Sequence, residues 1–361
     1  MKSAVSRAAV RAWLTSASAL VLAALAAQAQ GATQYRVTHQ VHVPGDEGWD
    51  YLTFEQGGHR LFIAHGTQVQ VVDTEQLAVT GAIADTPGVH GVALAPDVGH
   101  GYISAGRSST IVVFDLVSLA RLKEIKSTGE NPDAIIYDAP THRVFAFNGR
   151  GRNATVIDAK TDEVVGTIAL DAKPEFAVSD GKGHVYVNLE DRNSLARIDP
   201  QRQAVTAVWK IDGCEEPSGL AMDVQGQRLF AGCSNKVMAV VDATSGRTLG
   251  TAPIGGGVDA TAWDPHIRLA FASCGEGVLT VIALNASGAP EVTQSLATQR
   301  GARPMALDER SHRIFLVTAN FGRTPPASAA HPHPRPEIVP GTFRVLIVEP
   351  GRAVTASNGK Q

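Results

Sequence analysis

Residues 133–146 read DAIIYDAPTHRVFA and contain the pattern from which the fold is predicted. A short apolar run ends on Asp138, a polar turn follows, and a second apolar run starts at Arg143. The same arrangement occurs seven times, and its acid recurs every 41 to 44 residues, at Glu55, Asp97, Asp138, Asp180, Asp223, Asp264 and Asp308. The chain therefore consists mainly of seven copies of one unit, and repeats of this length indicate a modular fold.

A second acid keeps the same period in an independent register. It ends the third apolar run of the first five units, at Asp73, Asp115, Asp158, Asp199 and Asp242. Each unit holds four short β-rich runs separated by turn residues, and helical periodicity is absent beyond the N-terminal segment. Four strands in a unit of this length are typical of a β-propeller blade. We therefore predict an all-β, seven-bladed β-propeller with four-stranded blades.

The ends of the repeat array predict how the ring closes. The seventh unit stops at Glu349 without a fourth run, whereas residues 35–43 precede the first unit and resemble a fourth run. We predict that this N-terminal strand pairs in blade 7, which removes the open sheet edges. The propeller would then span residues 30–350, and residues 351–361 would form a C-terminal tail.

The first 29 residues predict export. Three basic residues precede an apolar stretch at 13–27, and Ala27-Gln-Ala29 fits a cleavage site. Such a segment is typical of a signal peptide, which the mature protein lacks. We therefore expect a monomeric periplasmic or secreted protein. No second long apolar run follows, so we expect no membrane insertion.

Composition narrows the function classes. The 361-residue chain carries 32 basic and 35 acidic residues, and loss of the three basic residues in the leader leaves 29 against 35, a net charge of −6. An acidic protein has no general attraction for nucleic acid or anionic lipid, so a nucleic-acid partner is disfavoured. The sequence also lacks a serine nucleophile elbow, a metalloprotease helix and a phosphate-binding loop.

The loops that lead into the first strand of each blade should meet on one face, called here the top face, around the central channel. Positions five residues before the recurring acid fall there, namely Asp50, Asp133, Glu175, Ser218, Asp259 and Arg303, with Gly91 or Val92 beside His90 in blade 2. Crowded carboxylates would recruit a polar ligand or a divalent cation such as Ca²⁺ or Mg²⁺. Alternatively, they only accept hydrogen bonds from nearby backbone amides. Trp49 and Trp263 are either aromatic walls of the site or residues that pack between blades.

One segment interrupts the period. Residues 321–341 fall between the second and third runs of unit 7 and contain six prolines. We expect an extended lid over the channel mouth, with His331, His333 and Arg335 as its candidate binding residues. The two histidines also allow a Zn²⁺ or Cu²⁺ site. Four loop arginines of the top face form either an anion-binding patch or solvated surface charge, namely Arg150, Arg152, Arg192 and Arg303.

The three cysteines favour one disulfide. Cys214 precedes the first strand of blade 5 and Cys233 ends its second strand, both near the top face. Cys233 and Cys274 lie on adjacent blades, and sheets pack about 10 Å apart, which is too far for a disulfide. Cys214–Cys233 is therefore the better pair, and Cys274 would remain a free thiol, buried or reactive.

The residues Phe315-Leu-Val-Thr-Ala-Asn320 are similar to the Tyr-Val-Thr-Asn motif that names the YVTN propeller repeats. Over residues 35–350 the chain resembles bacterial YncE-like proteins, and its segment 332–343 resembles one found in a branch of that family. The resemblance implies the fold more strongly than any activity. It favours an exported module that binds a small ligand or a periplasmic protein through its top face and channel mouth.

Two alternatives stay open at this point. A lactonase-like propeller hydrolase would use the acidic channel mouth, with or without a divalent cation as its only cofactor. DNA binding is implied by some YncE-like relatives, but the negative charge of the mature chain opposes it.

Overall fold

The computed structural model describes residues 33–326, 334 and 336–351. Residues 35–350 form one compact unit, and the other described residues contain no helix or strand. Twenty-eight strands among the described residues form seven four-stranded antiparallel sheets, which are the blades of a β-propeller, so the predicted fold is confirmed. The leader predicted at 1–29 and the tail beyond residue 351 lie outside the described residues.

The strands follow the repeat units, with blades 1 to 6 each taking four consecutive strands from β2 onwards. The strands are β1 Tyr35–His42, β2 Trp49–Phe54, β3 Arg60–His65, β4 Gln68–Asp73, β5 Ala78–Ile83, β6 Val89–Ala95, β7 His100–Ala105, β8 Thr110–Asp115, β9 Arg121–Lys126, β10 Pro132–Asp138, β11 Arg143–Asn148, β12 Asn153–Asp158, β13 Glu163–Ala169, β14 Pro174–Ser179, β15 Val185–Leu189, β16 Ser194–Asp199, β17 Ala204–Lys210, β18 Pro217–Asp223, β19 Arg228–Cys233, β20 Val237–Asp242, β21 Thr248–Pro253, β22 Val258–Asp264, β23 Leu269–Cys274, β24 Val278–Leu284, β25 Pro290–Ala297, β26 Met305–Asp308, β27 Arg313–Thr318 and β28 Arg344–Pro350.

Blade 7 combines the two ends of the ring. Its sheet has the order β1-β28-β27-β26, with Tyr35 opposite Pro350 and His42 opposite Arg344. The first strand of each blade contacts the first strand of the next, and β26 contacts β2 in the same way. The N-terminal strand therefore closes the ring, as the sequence predicts.

Aromatic residues of the first and second strands pack between the blades. Phe54 of blade 1 stacks on Phe315 of blade 7 at 5.4 Å between ring centroids, and Phe230 of blade 5 stacks on Trp263 of blade 6 at 4.8 Å. Burial of such a side chain stabilises the fold by roughly 2–3 kcal/mol. Trp263 is the penultimate residue of β22 and is buried, so its prediction as an aromatic wall of the top face is wrong.

The recurring acids stabilise turns. Oδ1 of Asp242 accepts hydrogen bonds from the backbone amides of Thr244 and Ser245 at 3.2 and 2.8 Å, and Asp73, Asp115 and Asp199 repeat this pattern. A contact that recurs in each blade indicates a structural role for these acids, which agrees with their regular spacing. The helices of the described chain are two 3₁₀ turns, Ala139–Thr141 and Glu190–Arg192, and neither they nor any other described segment is a helix able to cross a membrane.

Candidate functional site

The first strands of blades 1 to 6 begin with an irregularity that places side chains at the channel mouth. In β2 the register to β3 shifts between Trp49 and Leu52, and equivalent shifts occur at the starts of β6, β10, β14, β18 and β22. A β-bulge of this kind releases a residue from the ladder and re-aims its side chain. The residues in these shifted segments include Asp50, His90, Asp133, Glu175, Ser218 and Asp259.

In blade 2 the mouth position belongs to His90, so the assignment to Gly91 or Val92 is wrong by one or two residues. Val89 pairs with Ala105 as Pro132 pairs with Asn148 in the next blade, which aligns His90 with Asp133. The amide of Gly91 instead donates to Oγ of Ser104 at 2.9 Å, inside the sheet. The physical reason is the bulge, which repeat spacing alone does not locate.

His90 sits between two carboxylates. Its Nδ1 lies 2.7 Å from Oδ2 of Asp50 and 3.6 Å from Oδ1 of Asp133. Burial alone would lower the pKa of His90, but the hydrogen bond to Asp50 and the two negative charges raise it to about 9. The imidazole is therefore protonated at neutral pH and donates to Asp50. Burial and the charge of Asp50 raise the pKa of Asp133 to about 6, against the opposing charge of His90.

Glu175 forms the next part of the mouth together with Lys173. Nζ of Lys173 lies 2.6 Å from Oε1 of Glu175 and also donates to Glu190. Burial and the nearby Asp133 raise the pKa of Glu175 to about 8, although Lys173 opposes the shift. Glu175 therefore keeps its proton to a higher pH than an exposed glutamic acid does.

Arg303 precedes β26 and supplies the cation on the opposite side of the mouth. Its Nη1 lies 2.8 Å from Oδ1 of Asp259. Burial would lower the pKa of Arg303, but Asp259 and Asp50 raise it, so the guanidinium stays charged. Ser218 contacts the next blade, since its Oγ donates to the carbonyl oxygen of Asp259 at 3.3 Å.

Tyr51 places a phenol among these carboxylates. Its ring packs on Phe176 at 4.2 Å between centroids, and its hydroxyl oxygen is buried without a hydrogen-bond partner among the described residues. Burial and then the charges of four carboxylates raise its pKa well above the ordinary value, namely Asp133, Glu175, Asp50 and Asp259. The phenol therefore keeps its proton, and this O–H donor is unpaired among the described residues.

The mouth also holds a candidate metal-binding group. Ligand atoms of Asp50, His90 and Asp133 all lie within 4.8 Å of one another. A metal needs the neutral imidazole, so it must displace the proton that His90 binds with a pKa of about 9. At pH 7 this competition weakens metal binding by about a hundredfold. The proton on His90 is thus a strong competitor of a cation at these ligands.

The base of the blade 7 insertion lies beside the mouth. Phe321 and Ile338 form an antiparallel bridge that closes the insertion, and Phe321 contacts Trp49 at 6.0 Å between ring centroids. Trp49 and Arg303 line one cavity with this base, so Trp49 is placed as a wall of the top face. The candidate lid residues lie outside the described residues, namely His331, His333 and Arg335.

The structure joins Cys214 to Cys233 by a disulfide with a Cα–Cα distance of 5.4 Å. Cys274 is the free cysteine; it is buried, and burial raises the pKa of its thiol to about 12, so it is not a reactive thiolate. Two of the loop arginines are already paired, because Arg152 lies 2.6 Å from Asp191 and Arg303 binds Asp259. The arginines therefore do not form one free patch.

Sequence reasoning missed three residues of this region. Tyr51 follows Asp50 directly, and strict strand alternation would have turned it away from the mouth. Lys173 stands two residues before Glu175, which was the one available signal for their pairing. Phe321 was only a boundary of the insertion in the sequence, whereas it forms part of a cavity wall in the structure.

Comparisons with known proteins support the propeller fold but identify no family for this chain. No protein-family model matches the sequence, and no curated protein sequence matches it. A chain in the crystal structure of the mitotic checkpoint complex superposes with a TM-score of 0.70 at 13% identity, over 88% of this chain and 92% of that chain. The structure of U3-55K superposes with a TM-score of 0.69 at 10% identity, over 88% and 99% respectively. At these identities the likeness shows the propeller fold alone.

Proposed function

We propose that the protein is an exported, YncE-like propeller that binds a small polar ligand at its channel mouth. The N-terminal sequence and the repeat motif support export and the family resemblance. The chemistry of the mouth supports a ligand with both hydrogen-bond donors and acceptors, because the site offers carboxylates as acceptors and Tyr51, Lys173 and Arg303 as donors.

The observation that carries the proposal is the hydroxyl of Tyr51. It is buried amid four carboxylates, yet it has no hydrogen-bond partner among the described residues. A buried polar group left unpaired costs about 1–3 kcal/mol, and a Phe at this position would avoid that cost. A ligand that accepts from this phenol would explain why the site contains Tyr.

The test uses native mass spectrometry of the mature protein, incubated with the small-molecule fraction of a periplasmic extract. We expect an adduct on the wild type, and a loss of it in Tyr51→Phe, which removes a single hydroxyl. Tyr137→Phe is the matched control, because Tyr137 donates to Asp97 at the other end of the neighbouring blades. An adduct that survives in Tyr51→Phe at wild-type level, or an absent adduct in the wild type, would contradict the proposal.

Export is tested separately by fractionation and N-terminal sequencing. We expect the protein in the periplasm or medium, with a new N-terminus close to residue 30. A cytoplasmic protein that retains residues 1–29 would contradict this part without affecting the proposed site.

A metal-dependent, lactonase-like hydrolase is the second candidate, because Asp50, His90 and Asp133 bring three ligand atoms together. The high pKa of His90 argues for the binding module instead, since a proton competes for the same nitrogen. Elemental analysis combined with a lactone-hydrolysis screen separates the two. A stoichiometric metal together with turnover that His90→Gln abolishes would favour the hydrolase.

A further inference from the structure

We infer that a pocket beside the channel mouth binds small carboxylates that carry an apolar body. The pocket lies where blades 6, 7 and 1 meet on the top face. It has a volume of about 420 Å³ and is lined by Trp49, Arg300, Arg303, Phe321, Pro336 and Ile338. The inference rests on the proposed function, because it assigns a ligand class to part of the same face.

The apolar wall of the pocket is a special feature of blade 7. Phe321 and Ile338 pair across the base of the insertion, and Phe321 faces Trp49 at 6.0 Å between ring centroids. Phe343 supports Trp49 from behind, at 5.0 Å. The insertion therefore brings partly exposed aromatic and aliphatic groups to a rim whose other residues are mostly polar. Such walls accept an apolar ligand body in the volume range of ordinary small-molecule sites.

Arg300 provides a positive charge that no described acidic side chain pairs with. Its guanidinium lies 5.8 Å from the centre of the Phe321 ring, and it forms no ion pair with a described residue. Contact with the ring holds the guanidinium beside the pocket by a cation–π interaction. A ligand carboxylate could then form two parallel hydrogen bonds with it, the geometry that arginine favours.

Arg303 adds a second, partly shared cation. It lies in the same pocket but is already paired with Asp259 at 2.8 Å. The two arginines and this aspartate together carry about one unit of positive charge. A singly charged carboxylate matches that charge better than a doubly charged phosphate does.

Gly301 shows that the backbone is fitted to this wall. It adopts a φ of +83°, and a Cβ there would lie 2.6 Å from the Phe321 ring. The amide of Gly301 also donates to the carbonyl oxygen of Gly275 at 2.7 Å, which fixes the loop that carries Arg300 and Arg303. The arginines and the aromatic wall are thus held in one arrangement before a ligand arrives.

The experiment titrates three matched probes into the mature protein: phenylacetate, the neutral phenylacetamide and phenyl phosphate. Binding is followed by the change in tryptophan fluorescence in a Trp209→Phe background, which removes a distant tryptophan of β17 and leaves Trp49 in the pocket and the buried Trp263 of β22. We expect phenylacetate to bind with a Kd below about 1 mM and phenylacetamide to bind at least about tenfold more weakly. Phenyl phosphate should bind no more tightly than phenylacetate.

Two exposed arginines provide the decisive variants. Arg300→Gln should weaken phenylacetate by about tenfold, to the level of the amide, and leave the amide unchanged. Arg107→Gln is the matched control, because Arg107 lines a polar cavity beside His90 on the same face and forms no ion pair with a described residue. It should leave both affinities unchanged.

Several results would overturn the inference. They are equal affinities for phenylacetate and phenylacetamide, tighter binding of phenyl phosphate, no binding of any probe at about 10 mM, or an equal loss in Arg107→Gln and Arg300→Gln. The proposed function fails independently of these results, because its test depends on Tyr51. An adduct that is lost in Tyr51→Phe but unaffected by Arg300→Gln would preserve the mouth site and refute the pocket.

Discussion

The two ends of the first strand of each blade carry different kinds of side chain, and the difference distinguishes structural residues from candidate site residues. At the lower end, away from the top face, an acid recurs in every unit, and most of these acids bind their own turn, as when Oδ1 of Asp264 accepts from the amides of His266 and Ile267. At the upper end the residue changes from blade to blade, with His90, Glu175 and Arg303 at equivalent places. The lower residues are all acids and repeat their turn and inter-blade contacts, such as Asp97 with His142 and Asp264 with His312, whereas the upper side chains differ in type from blade to blade.

The histidine–aspartate pairs sharpen this comparison. At the lower end Nδ1 of His142 lies 2.9 Å from Asp97, and at the upper end Nδ1 of His90 lies 2.7 Å from Asp50. The lower pair is the more exposed, and Tyr137 completes it by donating to Asp97. The upper pair is more buried and adds a second carboxylate, Asp133. A repeated structural need explains the first arrangement but leaves the second unexplained, so departure from the repeat marks the candidate site.

The largest expected effect is a difference in stability between substitutions of two acids on β22. Asp264→Ala at the lower end of β22 should lower the free energy of unfolding by about 3 kcal/mol, because it leaves two turn amides and His312 without their acceptor. Asp259→Ala at the upper end should cost only about 1 kcal/mol, since Arg303 remains partly hydrated. Urea denaturation measures both. A larger loss in Asp259→Ala would break the distinction between the two ends.

The second effect is a dependence of stability on pH that belongs to the mouth. The pKa of Glu175 is raised to about 8 in the folded protein. Between pH 6 and 8 the folded state therefore binds a proton that the unfolded state has released, and stability falls as pH rises. Glu175 should contribute about 2 kcal/mol of this fall, and Glu175→Gln should lack that part.

The other titrating groups of the mouth contribute similarly in the wild type and in Glu175→Gln over this pH range. The raised pKa values of His90 and Asp133, about 9 and about 6, also make stability fall as pH rises, by a similar amount in both proteins, so the difference between the two curves reports Glu175. Unfolding curves at pH 6, 7 and 8 are sufficient. Parallel curves for the wild type and Glu175→Gln would show that Glu175 ionises normally, and the mouth would lose its distinguishing feature.

The smallest expected effect distinguishes two tyrosines. Tyr51→Phe should leave stability unchanged or raise it by about 0.5 kcal/mol, because it removes an unpaired buried hydroxyl. Tyr137→Phe should lower stability by about 0.5 kcal/mol, because it removes a hydrogen bond to Asp97. Thermal unfolding of the two variants beside the wild type provides the comparison. Equal destabilisation by both changes would mean that Tyr51 is bonded within the protein.

The sequence was sufficient for the fold because each blade repeats the same physical solution. The apolar runs, the turn acids and the missing fourth strand of unit 7 are local features, so the repeat pattern alone assigns residues 35–43 to blade 7. The pairing of Cys214 with Cys233 followed from the same strand positions. These features depend on spacing, which a repeat displays directly.

The candidate site was only partly predictable because it depends on irregularities. The bulge at the start of β2 brings Tyr51 into the same cluster as Asp50, and alternation of strand residues gives no sign of it. The bulge in β6 similarly moves the mouth position to His90. Trp263 fails for the opposite reason, since its prediction overlooked that it stands at the end of a strand rather than at its start. Long-range pairing, such as Phe321 with Trp49, is not encoded in spacing at all.

The most direct test of a functional mouth compares adduct formation in the wild type, Tyr51→Phe and Tyr137→Phe by native mass spectrometry, with folding checked by thermal unfolding. We expect the wild type and Tyr137→Phe to retain the periplasmic small molecule, and Tyr51→Phe to lose it while remaining at least as stable as the wild type. Retention of the same adduct by a stable Tyr51→Phe protein would contradict a ligand site at the channel mouth.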